Sequence, residues 1–457
     1  MATGESCCYC VKLLVLLITF LHRSSFLHAH SNTSLLAPQR ETIEIGVGTG
    51  SGTDIGIGGG GGGEGSAPPL STCGCEPQPS DFLNLKQYYA YIVIQLFKKT
   101  ITCDPNNVTQ TWVGYRPCTY QGFYCEAPPD SPDTPTIASI DFNGFHLCAP
   151  TIAGFIDKLP DLALFHANSN NFTGTIPDLT GLQYFYELDV SNNNMSGPFP
   201  NDVLPLANLT FLDLRFNLFA GAVPPSIFSL DLDVLFLNNN FFNQSLPFNL
   251  GSTQVAYLTL ANNGFTGPIP RSISNAGSTL REVLFLNNRL SGCLPYEIGL
   301  LSEATVFDAG FNQITGPIPL SFGCLQKVEQ LNLAGNLLYG NVPDVVCRLA
   351  KTGQLANLSL SGNYFTSIGY SCWELIKSGV LDVRQNCIPG FPDQRRPDEC
   401  WWFFTHPRHY FCPFFHYIPC KCPVAPATPA TTKAMQRPAV ASPPYMAYKA
   451  LHQRHGK

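Results

Sequence analysis

The apolar residues between positions 137 and 366 follow a nine-residue pattern that ends on a polar residue. Residues 209–217 read Leu-Thr-Phe-Leu-Asp-Leu-Arg-Phe-Asn, with leucine at the first, fourth and sixth positions and asparagine at the ninth. Residues 232–240, 255–263, 280–288, 328–336 and 355–363 repeat this pattern. The ninth-position asparagines recur every 23 to 27 residues, and they are Asn170, Asn193, Asn217, Asn240, Asn263, Asn288, Asn312, Asn336 and Asn363. A period of this length, held over so many units, predicts a repeat architecture.

A single unit cannot bury its own apolar face, so successive turns must stack. The first, fourth and sixth positions are predicted to point into the core, and the short apolar run predicts a strand that pairs in parallel with the next turn, about 4.8 Å away. The ninth asparagine falls where the chain bends off the strand, and its amide can satisfy backbone groups buried in that bend. We therefore predict a leucine-rich repeat solenoid of the α/β horseshoe type with about ten turns. Its parallel β-sheet lies on the concave face, and short helical or 3-10 segments lie on the convex face.

The segments that flank the repeats differ in composition. Residues 1–30 predict a secretory signal peptide, with a signal anchor as the alternative, and no later run predicts a membrane span. Residues 31–70 hold six consecutive glycines at 58–63 and predict a disordered linker. Residues 71–136 and 381–422 predict disulfide-rich N- and C-terminal caps around the repeats at 137–380. Residues 423–457 predict a disordered, Pro-rich basic tail.

The first cap contains a helical pattern at residues 82–99, with Asp81 as the predicted capping residue. An apolar stripe is predicted on this helix, formed by Leu83, Tyr88, Tyr91, Ile92, Gln95 and Leu96. A cap is needed here because the first turn of a solenoid would otherwise expose its apolar face.

Export from the cell would favour disulfides and glycosylation. The chain has eighteen cysteines, and removal of Cys7, Cys8 and Cys10 with the signal peptide leaves fifteen. An odd number leaves one thiol free or paired with another chain, which predicts a disulfide-linked homodimer through Cys73 or Cys75. Cys324 and Cys347 fall at matching convex positions and predict either a staple or two buried thiols. Seven sequons are candidate glycosylation sites: Asn32, Asn107, Asn171, Asn194, Asn208, Asn243 and Asn357.

The charge and the motifs favour binding over catalysis. A formal net charge of -6 argues against a nucleic-acid partner. We find no nucleophile elbow, zinc-protease helix or phosphate loop, and we predict no enzymatic activity and no cofactor. The C-terminal histidines and cysteines could form a zinc site, but the paired CxxC knuckles are missing and we predict disulfides instead. That alternative would use His406, His409, Cys412, His416, Cys420 and Cys422.

Solvent-facing strand positions should line the inner curve of the horseshoe. Acidic residues outnumber basic ones there, and aromatic residues share the surface. The candidate ligand-binding residues are Glu187, Asp189, Asp213, Arg215, Phe236, Tyr257, Glu282, Asp308 and Glu329, and the same face includes Asp141, Asp233, Arg281, Tyr186, Phe211, Phe216 and Phe311. Such a face suits a basic peptide, because the charge speeds capture and the rings anchor the bound state. The alternative is a solvated face without a ligand.

Several runs resemble the leucine-rich repeat extensins of plant cell walls. They lie at residues 162–172, 283–295, 306–312, 329–336 and 386–396, and the resemblance covers about residues 73–400. The cap run at 118–125 is similar to the plant repeat cap, which implies a disulfide between Cys118 and Cys125. The family's long Ser-Pro-repeat region is reduced here to residues 442–445. The resemblance implies a secreted cell-wall or apoplastic protein that binds a basic, cysteine-rich signalling peptide of the rapid alkalinisation factor class.

Two other functions share the same features. A polygalacturonase-inhibitor-like defence protein would also be a secreted plant repeat protein. A structural wall glycoprotein without a specific ligand would use the proline-rich tail around Pro426 and Pro429, and cell-wall polysaccharide would then be a partner.

Overall fold

Short strands, one from each turn, form the framework of the protein. The computed structural model describes residues 77–406 together with Cys412 and Tyr448. In chain order the strands are β1 (Phe123–Glu126), β2 (Thr136–Asp141), β3 (Cys148–Ala149), β4 (Leu164–His166), β5 (Asn171–Phe172), β6 (Glu187–Asp189), β7 (Ser196–Gly197), β8 (Phe211–Asp213), β9 (Leu218–Gly221), β10 (Val234–Phe236), β11 (Phe241–Phe242), β12 (Tyr257–Thr259), β13 (Thr266–Gly267), β14 (Glu282–Leu284), β15 (Arg289–Cys293), β16 (Val306–Asp308), β17 (Gln313–Gly316), β18 (Gln330–Asn332), β19 (Leu337–Val342), β20 (Asn357–Ser359), β21 (Tyr364–Ile368) and β22 (Leu381–Asp382). The α-helices are α1 (Leu85–Lys98), α2 (Asp344–Thr352), α3 (Cys372–Lys377) and α4 (Pro397–Thr405).

One long sheet runs the length of the stack. It contains β1 and all the even-numbered strands; β1 is antiparallel to β2, and the other pairs are parallel. Equivalent residues stay in register, so that Leu235 lies between Leu212 and Leu258. The odd-numbered strands from β3 onward form smaller parallel sheets. The predicted solenoid is therefore confirmed, and its sheet has eleven parallel strands where the sequence pattern counts ten turns.

The convex side is built from short helices that begin at prolines. Pro224, Pro270, Pro295, Pro319 and Pro343 each occupy the position just before a helix. Proline suits the start of a helix because its φ is already close to the helical value and it needs no N–H partner. The 3-10 helices are Pro79–Asp81, Val108–Thr111, Pro117–Thr119, Ile156–Lys158, Asn201–Val203, Pro225–Ser229, Leu250–Ser252, Arg271–Ala276, Tyr296–Leu300 and Leu320–Cys324.

The ninth-position asparagines bind the turns to one another. The Nδ2 of Asn240 donates to the carbonyl of Leu214 in the preceding turn at 2.9 Å and to Leu237 in its own turn at 3.2 Å. Its Oδ1 accepts from the N–H of Phe219 at 3.0 Å. The other eight predicted asparagines make the same set of contacts. The ladder continues one turn further, to Asn386, which donates to Leu360 and Val383.

The N-terminal cap seals the first turn with an aromatic cluster. Phe97 of α1 stacks on Phe155 with ring centroids 3.9 Å apart. The helix begins later than predicted, and its capping residue is Asn84, whose side chain accepts from the N–H of Gln87. The predicted apolar stripe was wrong. The buried side chains of α1 are Gln87, Ala90, Ile94 and Phe97, whereas Leu83 is 75% exposed and Leu96 is 55% exposed.

Disulfides hold both ends of the stack. Cys103 pairs with Cys148 and Cys118 with Cys125 in the N-terminal cap. Cys347 of α2 pairs with Cys372 of α3, and the alternative staple between Cys324 and Cys347 is therefore wrong. These two helices lie on neighbouring turns, so the staple is formed one turn later than proposed. Cys387 pairs with Cys400, and Cys293 pairs with Cys412, which is 119 residues away in sequence.

Some of the sequence predictions fall outside the described residues. They concern the signal peptide, the Gly-rich linker, the tail apart from Tyr448, the sequon at Asn32, the dimer through Cys73 or Cys75, and part of the alternative zinc site. Within residues 77–406, no helix combines the length and the apolar character needed to cross a lipid bilayer.

Replacement of Asn240 by alanine should lower the free energy of unfolding by about 2–3 kcal/mol. The change leaves two carbonyls and one N–H without their partner in a buried bend. Urea denaturation followed by circular dichroism measures the loss. The matched control is Asn239→Gly, at the adjacent asparagine, whose φ of 57° suits glycine equally well. Equal stability of the Asn240→Ala variant and the control would contradict the role of the ladder.

Candidate functional site

The concave face consists of two columns of side chains, because the strands keep strict register. One column contains the third position of each turn and the other contains the fifth. The fifth-position column is Asp141, His166, Asp189, Asp213, Phe236, Thr259, Leu284, Asp308, Asn332, Ser359 and Asp382. Neighbouring members are about 4.8 Å apart along the stack, so each side chain senses the charge of the next.

Most of the acidic residues in this column also have a structural role. The Oδ1 of Asp189 accepts from the N–H of Ser191 at 2.9 Å, and that of Asp213 accepts from Arg215 at 3.0 Å. The same contact is made by Asp141, Asp308 and Asp382. Asn332 makes it too, with the N–H of Ala334 at 3.0 Å. The sequence analysis missed this turn-closing role, in which aspartate or asparagine accepts a bond from the backbone two residues later.

The first turns hold a buried histidine between carboxylates. His166 and Glu187 are both buried, with Nε2 of the histidine 2.9 Å from Oε2 of the glutamate. Burial acts to lower the pKa of His166, but the hydrogen bond to Glu187 and the charges of Glu187, Asp189 and Asp141 outweigh it and raise the pKa above its usual value. This end of the face therefore holds a buried His166–Glu187 pair and not a free carboxylate.

The next turn contains a buried carboxylate beside an arginine. Asp213 is completely buried, and its Oδ2 lies 2.9 Å from Nε of Arg215. Burial, followed by the charge of Asp189, raises the pKa of Asp213 well above its usual value, although Arg215 acts in the opposite direction. The Arg215 guanidinium also lies 5.0 Å from the ring centroid of Phe236. Charge and aromatic surface thus meet at this point of the face.

Later turns contain a second acidic pair. Glu282 of β14 is half-buried, and Tyr257 precedes it in the third-position column. Burial, and then the charge of Glu329, raises the pKa of Glu282 to about 7. Asp308 is buried, whereas Glu329, the residue just before β18, is exposed.

The predicted binding residues therefore share one face but differ in exposure. Glu187, Asp213, Phe236 and Asp308 are buried, Asp189, Arg215, Tyr257 and Glu282 are half-buried, and Glu329 is exposed. The expectation that all of them face solvent was wrong. Short carboxylates sit low between longer side chains from adjacent strands, which cover them.

Two exposed phenylalanines that the sequence analysis ranked low have an unusual backbone. The residue before every ladder asparagine is left-handed, with φ between 51° and 71°. Serine, asparagine, glutamine or glycine fills this position in the other turns, but Phe216 and Phe311 fill it in two. A bulky side chain in this conformation costs on the order of 1 kcal/mol or more. The sequence shows this exception, because the residue before the ladder asparagine is polar or glycine in the other turns and phenylalanine in these two.

The structure also locates the candidate modification sites. Asn107, Asn171, Asn194, Asn243 and Asn357 are exposed, and Asn208 is half-buried with its Nδ2 donating to the carbonyl of Gln183 at 2.8 Å. Asn357 lies on β20, within the concave sheet itself. No three His, Cys, Asp or Glu side chains in the described part of the chain converge as a metal site would require.

Comparison with known proteins shows relatives in one plant family. A Leucine Rich Repeat family profile matches residues 208–230. The chain is 41% identical over 233 residues to Leucine-rich repeat extensin-like protein 1 of Arabidopsis thaliana, which covers 51% of this chain and 31% of that protein. Protein 6 of the same series is 40% identical, with 54% and 52% covered. Protein 7 is 37% identical over 331 residues, with 71% of this chain and 74% of that protein covered. The chain thus spans about a third to a half of the first two relatives and three quarters of the last.

A solved structure with a similar fold supports the solenoid. The crystal structure of a TDR receptor aligns with a TM-score of 0.50 and 29% sequence identity, over 55% of this chain and 43% of the receptor chain. The resemblance drawn from the sequence is confirmed by these matches.

Loss of the Glu282 proton should make stability depend on pH between about 5 and 8. Because the folded-state pKa is raised, the contribution to stability is fully present below the ordinary value of 4.5 and is lost as the pH rises through about 7. The difference amounts to roughly 2–3 kcal/mol. Urea unfolding at pH 5, 6, 7 and 8 should show this loss for the wild type and not for Glu282→Gln.

A second variant separates the two causes of the shift. Glu329→Gln removes a neighbouring charge that raises the pKa, so the midpoint of the pH dependence should move to lower pH. A constant difference between wild type and Glu282→Gln at all four pH values would refute the assignment.

Proposed function

Because the chain belongs to the family of leucine-rich repeat extensin-like proteins, we propose that it is a secreted, non-catalytic cell-wall protein. Its concave face binds an extracellular peptide. The ligand class that fits best is a basic, cysteine-rich signalling peptide of the rapid alkalinisation factor class, and the role is regulation of cell-wall growth.

The acidic first half of the concave face carries this proposal. Asp141, Asp189 and Asp213 lie in one column, and Glu187 lies beside them in the other. The three aspartates are held by turn-closing hydrogen bonds and Glu187 by its contact with His166, so they cannot move away from one another. The acidic charge that is not offset by His166 and Arg215 attracts and orients a basic partner without further ordering cost.

Exposed aromatic residues supply apolar contacts that can anchor a bound peptide, which charged side chains alone do not provide. Phe216 is 39% exposed and Phe311 is 48% exposed, and both hold a left-handed backbone. Conformational strain at an exposed ring is commonly associated with a binding role. Aromatic side chains dominate the energetics of many interfaces, so these two residues, whose turns lie four strands apart, suit two separate anchor points: Phe216 beside the acidic cluster and Phe311 further along the face.

The candidate glycan at Asn357 favours the first half of the face over the second. A sugar chain on β20 would cover the C-terminal strands of the concave sheet. The acidic cluster lies six or more strands away in the same sheet and would stay accessible.

The double variant Asp189→Asn and Asp213→Asn should weaken binding of a peptide of this class about tenfold and flatten its salt dependence. Asparagine keeps the acceptor that closes the turn, as Asn332 shows in this same column, so the turn is retained while the charges and the ion pair of Asp213 with Arg215 are lost. Titration calorimetry at two salt concentrations measures both effects.

The control is Asp202→Asn, which removes the same kind of charge from an exposed site in the 3-10 helix Asn201–Val203. Its affinity should equal that of the wild type. If both variants bind like the wild type, the concave acids are not the site. Inhibition of a fungal pectinase by the unmodified protein would instead favour the defence function.

A further inference from the structure

A tyrosine from the C-terminal end of the chain is buried against the first turns of the solenoid. Tyr448 is only 1% exposed. Its ring makes an edge-on contact with Tyr184, with centroids 5.4 Å apart. It belongs to a small apolar cluster, separate from the main core, whose other members are Ala138, Ala163, Leu164 and Tyr186.

Both polar groups of Tyr448 have partners on the repeat domain. The phenol O–H donates to the backbone carbonyl of Asp161, and the backbone N–H donates to Oε2 of Glu126 at 2.8 Å. A buried tyrosine is stable only when its hydroxyl finds an acceptor, and here the acceptor lies at the bottom of the cluster. The contact is therefore specific for tyrosine rather than for any large apolar group.

The surface under Tyr448 is shaped to receive one ring. Ala138 and Ala163 hold the second position of the first two turns, where their short side chains leave space above the sheet. Tyr184 and Tyr186 also pack in this cluster, and Glu126 of β1 accepts from the backbone N–H of Tyr448. These residues, together with the carbonyl of Asp161, provide apolar contacts and two hydrogen-bond acceptors, and we call them the tyrosine socket.

We propose that the tyrosine socket is a binding site for a tyrosine carried by a basic segment, and that its occupant is the chain's own C-terminal segment. Residues 441–457 contain Lys449, Arg454 and Lys457 and no acidic residue. Glu126, Asp130 and Asp161 all act on the ring of Tyr448, and of these Asp161 is paired with Lys86 at 3.0 Å, so the surroundings carry a net acidic charge. Opposite charges on the segment and around the socket favour this pairing.

The covalent attachment of the chain allows the contact to form within one molecule. Cys412 is fixed to Cys293, and thirty-five residues separate Cys412 from Tyr448. About five turns lie between Cys293 and the socket, or roughly 25 Å at the spacing of neighbouring strands. A chain of that length can reach roughly 120 Å when extended, so its reach exceeds the distance several-fold.

The position of the socket links it to the proposed ligand face. Ala138, Ala163 and Tyr186 stand three residues before Asp141, His166 and Asp189 in their turns. An occupied socket holds Tyr448 beside the acidic column, and Lys449 follows Tyr448 directly in the sequence. Competition between this segment and an external basic peptide follows, and that consequence alone depends on the proposed function.

A peptide added in trans tests the socket without any external partner. The protein is the full chain with Tyr448→Ala, checked for unchanged circular dichroism, and the probe is a synthetic peptide of residues 441–457. The wild-type peptide should bind, and a peptide with Tyr448→Ala should bind at least about tenfold more weakly. A peptide with Tyr445→Ala is the matched control and should bind within about threefold of the wild-type peptide.

The unmodified chain gives the second readout. Its socket is already filled, so it should bind the wild-type peptide at least about tenfold more weakly than the Tyr448→Ala chain does. Equal loss from the two peptide variants, no binding by the folded Tyr448→Ala chain, or equal affinity of the two chains would overturn the socket. A wild-type dimer that Tyr448→Ala converts to a monomer in sedimentation would overturn the intramolecular assignment, because the occupant would then come from a second copy.

Discussion

The backbone bend after each strand is the constraint on which the rest of the structure depends. A chain that turns sharply while buried leaves carbonyls and N–H groups that must find partners. One asparagine per turn supplies them, with two donated bonds and one accepted bond, as seen for Asn240. Because one of the carbonyls and the N–H belong to the preceding turn, the same side chain also fixes the spacing and register between turns. The strict columns on the concave face are a direct result of this arrangement.

Strict register determines the electrostatics of that face. Asp189 and Asp213 cannot slide past one another, so burial and then the charge of Asp189 raise the pKa of Asp213. Burial, and then the charge of Glu329 two turns away, raises the pKa of Glu282. The pKa of His166 is raised as well, because the hydrogen bond and the charges of the surrounding carboxylates outweigh the effect of burial. The face thus balances charge by proton uptake and by ion pairs such as Arg215 with Asp213. A mobile surface would relieve the same repulsion by moving its side chains.

Features that every turn shares could be predicted from the sequence, whereas features that depend on a single local environment could not. The solenoid, the concave sheet and the ladder follow from a period that every turn shares. The turn containing Asn386 was missed because Ser378 stands where other turns place an apolar residue, at the end that α4 and its disulfide cover. The buried side of α1 could not be read from its sequence, since apolar residues line more than one of its faces and only the contact with the first turn selects among them. The disulfide partners of Cys347 and Cys293, and the place of Tyr448, depend on contacts between distant parts of the chain, which a local pattern does not contain.

The cysteines are confined to the two ends and leave a long unlinked middle. No cysteine occurs between Cys148 and Cys293, so six consecutive turns are joined only by hydrogen bonds and apolar packing. A tensile force applied between the caps would pass through these interfaces in series, and each would bear the full load. The stapled ends would keep their shape while the central turns separated first. Extension of the molecule under load would therefore be confined to its central turns.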